Sequence, residues 1–250
     1  MAHDIVIIGG GIIGLATGRA LLRERPGLDL LVLEKEPAVG QHQSGRNSGV
    51  LHSGLYYRPG SLKAELCVRG VAEMFEFCEE HRVPFTRDGK VVIANSPIEV
   101  QRLDELERRG RANGLQGLRR IGAGELAEIE PAAAGTDALH VPSTGAVDFG
   151  DVTRALAASL TEAGGRVVVN AGVQGARLEG GTWTIQHSSG EVKGRLVINC
   201  AGLYADRIAR LMGVDPPVRI VPFRGEYLTV RQEARHLVNS SIYPVPDPDL

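Results

Sequence analysis

Residues 4–8 (Asp-Ile-Val-Ile-Ile) and 28–33 (Leu-Asp-Leu-Leu-Val-Leu) are short, mostly apolar and rich in branched side chains. Runs of this kind, closed off by glycine or an acid, predict strands buried on both faces. Between them 12–25 has helical spacing and stops at Pro26-Gly27. The result is a strand–turn–helix–strand unit of about thirty residues, the building block of a parallel sheet. A third buried run, 195–199, leads through Cys200-Ala201-Gly202 into a helix over 203–212. A further helix is predicted over 151–163, opened by Asp151, with strands at 166–170 and 182–187.

The middle of the chain reads differently. Ser61 caps a helix reaching about Arg82, with Leu66, Gly70, Met74 and Cys78 on one stripe. Residues 91–94 predict a strand. Ser96-Pro97-Ile98-Glu99 is a capping box opening a helix to Arg109. The tail from Tyr243 to Leu250 reads as extended chain that closes nothing. The expected fold class is therefore α/β: a Rossmann-like nucleotide-binding domain over 1–82 and 148–215, with an interleaved α+β domain over 83–147 and 216–250.

Composition narrows the field. Hydrophobic residues at 43% and charged residues at 23% are globular values and exclude disorder. With 28 basic against 30 acidic residues, nothing favours nucleic acid as a partner. Cys67, Cys78 and Cys200 form no CxxC pair, so no metal site is expected and a reducing compartment fits. The run 5–22 is interrupted by five glycines and Arg19, which argues against a signal peptide or membrane span. The expected location is the cytoplasm, with peripheral attachment at the inner membrane as an accessory expectation.

Gly9-Gly10-Gly11-Ile12-Ile13-Gly14 has GxGxxG spacing, follows a strand, opens a helix, and is followed by Glu34 at the end of the next strand. In that setting the motif is a phosphate cradle. Gly9 permits the turn, Gly11 a close backbone approach, and Gly14 helix-to-strand packing. The helix start offers N–H donors and positive dipole to an anion. Glu34 accepts from ribose hydroxyls and repels a 2′-phosphate, leaving FAD or NAD open. A second GxGxxA spacing at 122–127 follows a poor strand and precedes Pro131, so no second dinucleotide site is expected.

Three stretches carry a resemblance. Residues 4–34, then Gly-Arg-Asn-Ser-Gly-Val-Leu-His-Ser-Gly-Leu-Tyr-Tyr at 45–57, then Val-Ile-Asn-Cys-Ala-Gly at 197–202 resemble the FAD-dependent D-amino-acid oxidase/glycerol-3-phosphate dehydrogenase superfamily. Within it, 47–57, Pro-Gly-Ser-Leu-Lys-Ala at 59–64, Pro-Phe-Arg-Gly-Glu-Tyr at 222–227 and Tyr-Pro-Val-Pro at 243–246 are similar to the L-2-hydroxyglutarate oxidase/dehydrogenase family. The resemblance implies FAD as cofactor and makes the first domain an FAD-binding one. It also implies a longer protein continuing past Leu250, so the C-terminal part is expected to be missing here. The polar, glycine-rich loop 44–54 supports a flavin on its own terms, since it offers hydroxyls, amides and N–H groups. By the resemblance, Val173 meets adenine through its backbone. The expected cofactor-binding set is Gly9, Gly11, Ile12, Ile13, Gly14, Glu34, Lys35, Ser44, Arg46, Asn47, Ser48, Gly49, Val173, Ala201 and Gly202.

The reaction the resemblance implies oxidises L-2-hydroxyglutarate, or a similar small 2-hydroxy acid, to the 2-oxo acid, with hydride to flavin N5 and electrons on to oxygen or a quinone. A base near the hydroxyl is needed, and histidine suits working pH. His52, inside the loop, is the expected base. Arg224 is expected to hold a carboxylate bidentately and Tyr56 to donate a phenolic hydrogen bond. The glycerol-phosphate branch has arginine where Tyr56 stands, which fits a substrate without phosphate. An amino-acid or amine oxidase, or a non-catalytic FAD-binding fragment, are the alternatives on this scaffold.

Overall fold

The structure, a computed structural model, describes residues 1–247. The chain begins β1 (His3–Ile8), α1 (Ile12–Glu24), β2 (Leu30–Leu33) and β3 (Val50–Leu51). It continues through α2 (Leu62–Glu80), β4 (Phe85–Thr86), β5 (Lys90–Ala94), α3 (Pro97–Ala112), β6 (Arg119–Gly122), α4 (Ala123–Ile129), β7 (Asp137–Val141) and β8 (Gly145–Val147). Then come α5 (Phe149–Glu162), β9 (Arg166–Val168), β10 (Val173–Glu179), β11 (Thr182–His187), β12 (Gly190–Asn199), α6 (Ala205–Leu211) and β13 (Ser241–Pro244). Two compact units share these elements. The first is Met1–Ser48 with Asp148–Glu226, and the second is Gly49–Val147 with the chain from Tyr227 onward. The sequence-drawn limits differ from this division, since 49–82 fall in the second unit and 216–226 in the first.

In the first unit a six-stranded sheet runs β10-β11-β12-β1-β2-β9. The strands β12, β1, β2 and β9 are mutually parallel, and the antiparallel hairpin of β10 and β11 extends one edge. Val6, Ile7, Leu30 and Val32 are fully buried, as uniformly apolar strands require. Gly18 lets α1 sit close to α5, because a Cβ there would lie 2.6 Å from Leu160 Cδ1. Helix α5 is capped by Asp148, whose Oδ1 accepts from Gly150 N at 2.7 Å, so Asp148 and not Asp151 opens it. Strand β10 was not expected. Its residues are mostly exposed and carry no period, leaving only the backbone pairing with β11 to define it. Val173 accordingly begins β10 and does not belong to the strand directly after α5.

The second unit holds a four-stranded sheet, β13-β5-β7-β6, and a three-stranded one, β3-β8-β4. Strand β5 is buried on both faces. Val92 and Ala94 pack with Leu55, Leu103 and Leu139, while Val91 and Ile93 pack with Ile121, Leu126 and Ala138. Ser96 and Glu99 form the expected N-terminal box of α3. Ser96 Oγ accepts from Glu99 N, and Glu99 Oε2 accepts from Asn95 N at 2.6 Å. Helix α2 departs from its expected stripe. Leu66 is exposed, and the buried positions are Ala64, Phe75, Phe77 and Cys78. Phe75 and Phe77, two residues apart, are buried on different sides of the helix, the first against Phe85 and the second against His81.

The tail does close something. Residues 241–244 pair in parallel with β5, Ser241 opposite Lys90 and Tyr243 opposite Val92. Pro244 is tolerated there because β13 is an edge strand. The last residues of that expectation, 248–250, lie outside the described residues. Fully buried Glu130 fastens the tail by accepting from Asn239 N, Ser240 N and Ser240 Oγ. No described helix is long and apolar enough to cross a membrane.

Removing that acceptor strands the buried N–H and hydroxyl of Ser240. Glu130→Ala is expected to lower unfolding free energy by about 2–4 kcal/mol in a urea titration. A change below about 0.5 kcal/mol would show that these donors find other partners.

Candidate functional site

The turn after β1 is built by three backbone segments in close contact. Gly9 has φ +115°, and a Cβ there would lie 2.3 Å from the Cys200 carbonyl oxygen. A Cβ on Gly14 would lie 2.0 Å from Gly9 O. No other residue fits either position, which brings the start of α1 down onto the ends of β1 and β12. The N-cap of α1, Gly11, offers no side chain, and the first turn holds no acid. Ser44 Oγ accepts from Ile12 N at 2.9 Å, so the loop after β2 is tied to the helix start. A helix start that carries no acid and is braced by a neutral hydroxyl suits an anion.

This turn forms one wall of a cleft of about 580 Å³ inside the first unit. Of the expected residues, Gly9, Gly11, Ile12, Ile13, Glu34, Lys35, Ser44, Asn47, Val173, Ala201 and Gly202 line it. Gly14 does not, since it lies beneath as packing. Arg46 and Ser48 are exposed and are not among the lining residues, and Gly49 belongs to the second unit. Glu34 is buried at the cleft floor. Its Oε2 accepts from Gly10 N at 2.7 Å and its Oε1 from Glu36 N at 2.9 Å. Each oxygen keeps a lone pair for a hydroxyl donor.

Sequence reasoning missed much of the far wall. His42, Ala171, Gly172, Cys200 and Tyr204 also line the cleft. His42 Nε2 lies 2.8 Å from Glu36 Oε1, and Lys35 Nζ sits 4.7 Å from the Tyr204 ring centroid. Lys35 and His42 hold the Glu36 carboxyl down to about 2. These contacts join residues far apart in the chain, so no local pattern announces them. Asp206 is buried and pairs with Arg210 at 3.0 Å.

The second unit gathers a different set. Among the described residues, six side chains have a buried polar atom with no hydrogen-bond partner: His52, Ser53, Tyr56, Lys90, Ser143 and Thr144. All six belong to this unit. Four aromatic or charged groups there are neighbours. Lys90 Nζ is 4.3 Å from the Tyr56 ring centroid and 5.5 Å from that of Tyr243, and the His52 and Tyr243 rings are 6.1 Å apart. Burial, and then the Lys90 charge, push the His52 imidazole below its ordinary 6.5. Burial holds the Tyr56 phenol protonated far above the usual range and brings Lys90 down to about 8. The arrangement offers a neutral imidazole, a phenolic donor and a cation, each unsatisfied. Arg224 lies on an exposed segment of the first unit, its guanidinium 3.4 Å from Glu226. Sequence reasoning did not select Lys90.

Residues 4–250 match the family described as FAD dependent oxidoreductase, or DAO. The chain is 45% identical over 250 residues to L-2-hydroxyglutarate dehydrogenase of Indibacter alkaliphilus, covering 100% of this chain and 63% of that protein. It is 44% identical over 258 residues to the mitochondrial L-2-hydroxyglutarate dehydrogenase of Homo sapiens, covering 98% and 56%. The chain thus spans between 56% and 63% of the length of these two relatives. Among solved structures, dithionite-reduced L-α-glycerophosphate oxidase from Mycoplasma pneumoniae with FAD bound has a TM-score of 0.82 at 23% identity, covering 98% of this chain and 66% of that one. Glycine oxidase from Geobacillus kaustophilus has a TM-score of 0.77 at 24% identity, covering 85% and 58%. These two likenesses speak for the fold.

The cleft fits FAD on its own chemistry. A dinucleotide needs N–H donors for its diphosphate, an approach without side chains, and an acceptor for its ribose hydroxyls. The α1 start, the glycine turn and Glu34 offer these in one place. With the family match extending over 4–250, the chain belongs to the FAD-dependent oxidoreductase family.

Proposed function

We propose that the protein oxidises L-2-hydroxyglutarate, or a closely similar 2-hydroxy acid, to the 2-oxo acid. The relatives' names support the substrate. The observation that carries the chemistry is the buried, unpartnered Nδ1 of His52 and the unpartnered hydroxyl of Tyr56, in a cluster joined through Lys90 and Tyr243. Bound FAD supplies the acceptor for the hydrogen and electron pair that leave the substrate carbon. We assign its diphosphate to the α1 start, and its adenosine ribose to Glu34.

His52 is the proton acceptor in this reading. Its lowered pKa keeps the imidazole neutral near pH 7, so a lone pair is available for the substrate hydroxyl proton. As that proton leaves, the C–O bond becomes a carbonyl. Tyr56 donates to a substrate oxygen, and its burial keeps the phenol protonated throughout. The Cys67 thiol donates to the His52 carbonyl at 2.9 Å and holds that backbone in place. A substrate carboxylate reaching Arg224 would have to displace its pairing with Glu226. Bound FAD would give those electrons up to oxygen or a quinone.

Anaerobic mixing of the FAD-loaded protein with L-2-hydroxyglutarate should bleach the visible flavin band within the mixing experiment. Faster bleaching by glycine, sarcosine or D-amino acids would replace the reading with an amine oxidase. Glu34→Ala is expected to weaken FAD binding about tenfold in a flavin-fluorescence titration, with reduction of the bound fraction unchanged. Unchanged affinity would remove Glu34 from the ribose.

His52→Ala should retain FAD and lose about a hundredfold or more in reduction rate. The wild-type rate is expected to be flat near neutrality and to fall on the acid side, with a midpoint below 6.5, because protonation removes the base. Survival of that acid limb in the His52 variant would assign it to another group.

A further inference from the structure

Strand β5 reads Lys-Val-Val-Ile-Ala, and every residue in it is buried. Alternation puts Lys90 on the same face as Val92 and Ala94, which pack against Leu55 with Tyr56 and Tyr243 alongside. Pairing across the sheet agrees, since Ser241 and Tyr243 of β13 stand opposite Lys90 and Val92. A lysine on a core face breaks the pattern of its own strand, and such breaks belong to functional or strained sites.

Lys90 is fully buried, and its ammonium has no hydrogen-bond partner among the described residues. The rings of Tyr56 and Tyr243 are its near neighbours, at 4.3 and 5.5 Å, and no described carboxylate forms an ion pair with it. Aromatic faces attract a cation but leave its three donors unused. A desolvated ammonium without acceptors is costly, and an anion or a set of acceptors completes it. The Tyr56 hydroxyl and His52 Nδ1 of the same cluster are likewise unpaired and carry no negative charge. A carboxylate that also bears a hydroxyl would satisfy all three, its anionic oxygens accepting from the ammonium and the phenol and its hydroxyl donating to the imidazole.

We propose that Lys90 is the cation that binds a carboxylate of the substrate, with Tyr56 donating a second hydrogen bond to it or to the neighbouring oxygen. This rests on the 2-hydroxy-acid reading above and gives Lys90 the part that sequence reasoning gave to Arg224. It also separates tasks within the second unit: Lys90 holds charge while His52 handles the proton.

The test compares the FAD-loaded wild type with Lys90→Met and Lys90→Arg. In Lys90→Met the KM for L-2-hydroxyglutarate should rise about 30-fold or more, with the limiting reduction rate within about threefold and FAD content and melting temperature unchanged. Lys90→Arg, which keeps the charge, should recover part of the loss. Glutarate, which has no hydroxyl to oxidise, should bind the wild type by calorimetry and fail to bind Lys90→Met. The chain has four lysines, Lys35, Lys63, Lys90 and Lys193, so ¹⁵N labelling at lysine Nζ gives a readable spectrum even where a variant does not fold. Glutarate should move one of those resonances in the wild type. Wild-type KM and glutarate affinity in Lys90→Met, or four unmoved resonances, would overturn the assignment. A wild type that no 2-hydroxy acid reduces would instead overturn the reading beneath it.

Discussion

A charge taken out of water must find a partner, and this constraint sorts the buried groups of the molecule. Glu34, Lys90, Glu130 and Asp206 are all carried below the surface. Glu130 accepts three hydrogen bonds from the chain it fastens, and Asp206 pairs with Arg210. Both are scaffold. Glu34 is half engaged, bracing the backbone at Gly10 and Glu36 while keeping lone pairs toward the cleft. Lys90 has no hydrogen bond at all. Desolvating an ion costs several kcal/mol, so the unpaired one is where a ligand contributes most.

The two units meet this constraint with different means. The first uses backbone: glycines at Gly9 and Gly14 bring three chain segments within contact distance, and the first turn of α1 carries no acid. Its cleft can therefore take a long, charged dinucleotide whose anionic middle meets N–H donors. The second uses side chains. Its buried His52, Tyr56 and Lys90 bring one proton acceptor, one neutral donor and one cation to a site walled by aromatic rings. Burial tunes each: the imidazole toward its neutral form, the phenol toward its protonated form, and the ammonium to about 8.

Much of the first unit was legible in the sequence because its signals are local. The glycine spacing, Glu34 after the second strand and Ala201-Gly202 after the third each sit within a few residues of the element they serve, and all line the cleft or pack beneath it. The opposite wall was not legible, because His42, Gly172 and Tyr204 meet only after the sheet has formed. Strand β10 escaped because its exposed residues have no hydrophobic period. Lys90 escaped for a related reason. The strand was expected to start at Val91, one residue late, and its burial depends on β7 and β13, from Val141 and Ser241, pairing on either side. His52 and Tyr56 were reached through composition of the loop and a family resemblance, and their burial is what the fold adds.

If the unsatisfied buried groups of the second unit are the substrate site, a crystal structure of the FAD-loaded protein soaked with 2-oxoglutarate will show it. A carboxylate oxygen should lie within hydrogen-bond distance of Lys90 Nζ, and the keto oxygen within reach of His52. Product density elsewhere, with Lys90 hydrogen-bonded to protein or to water alone, would contradict it.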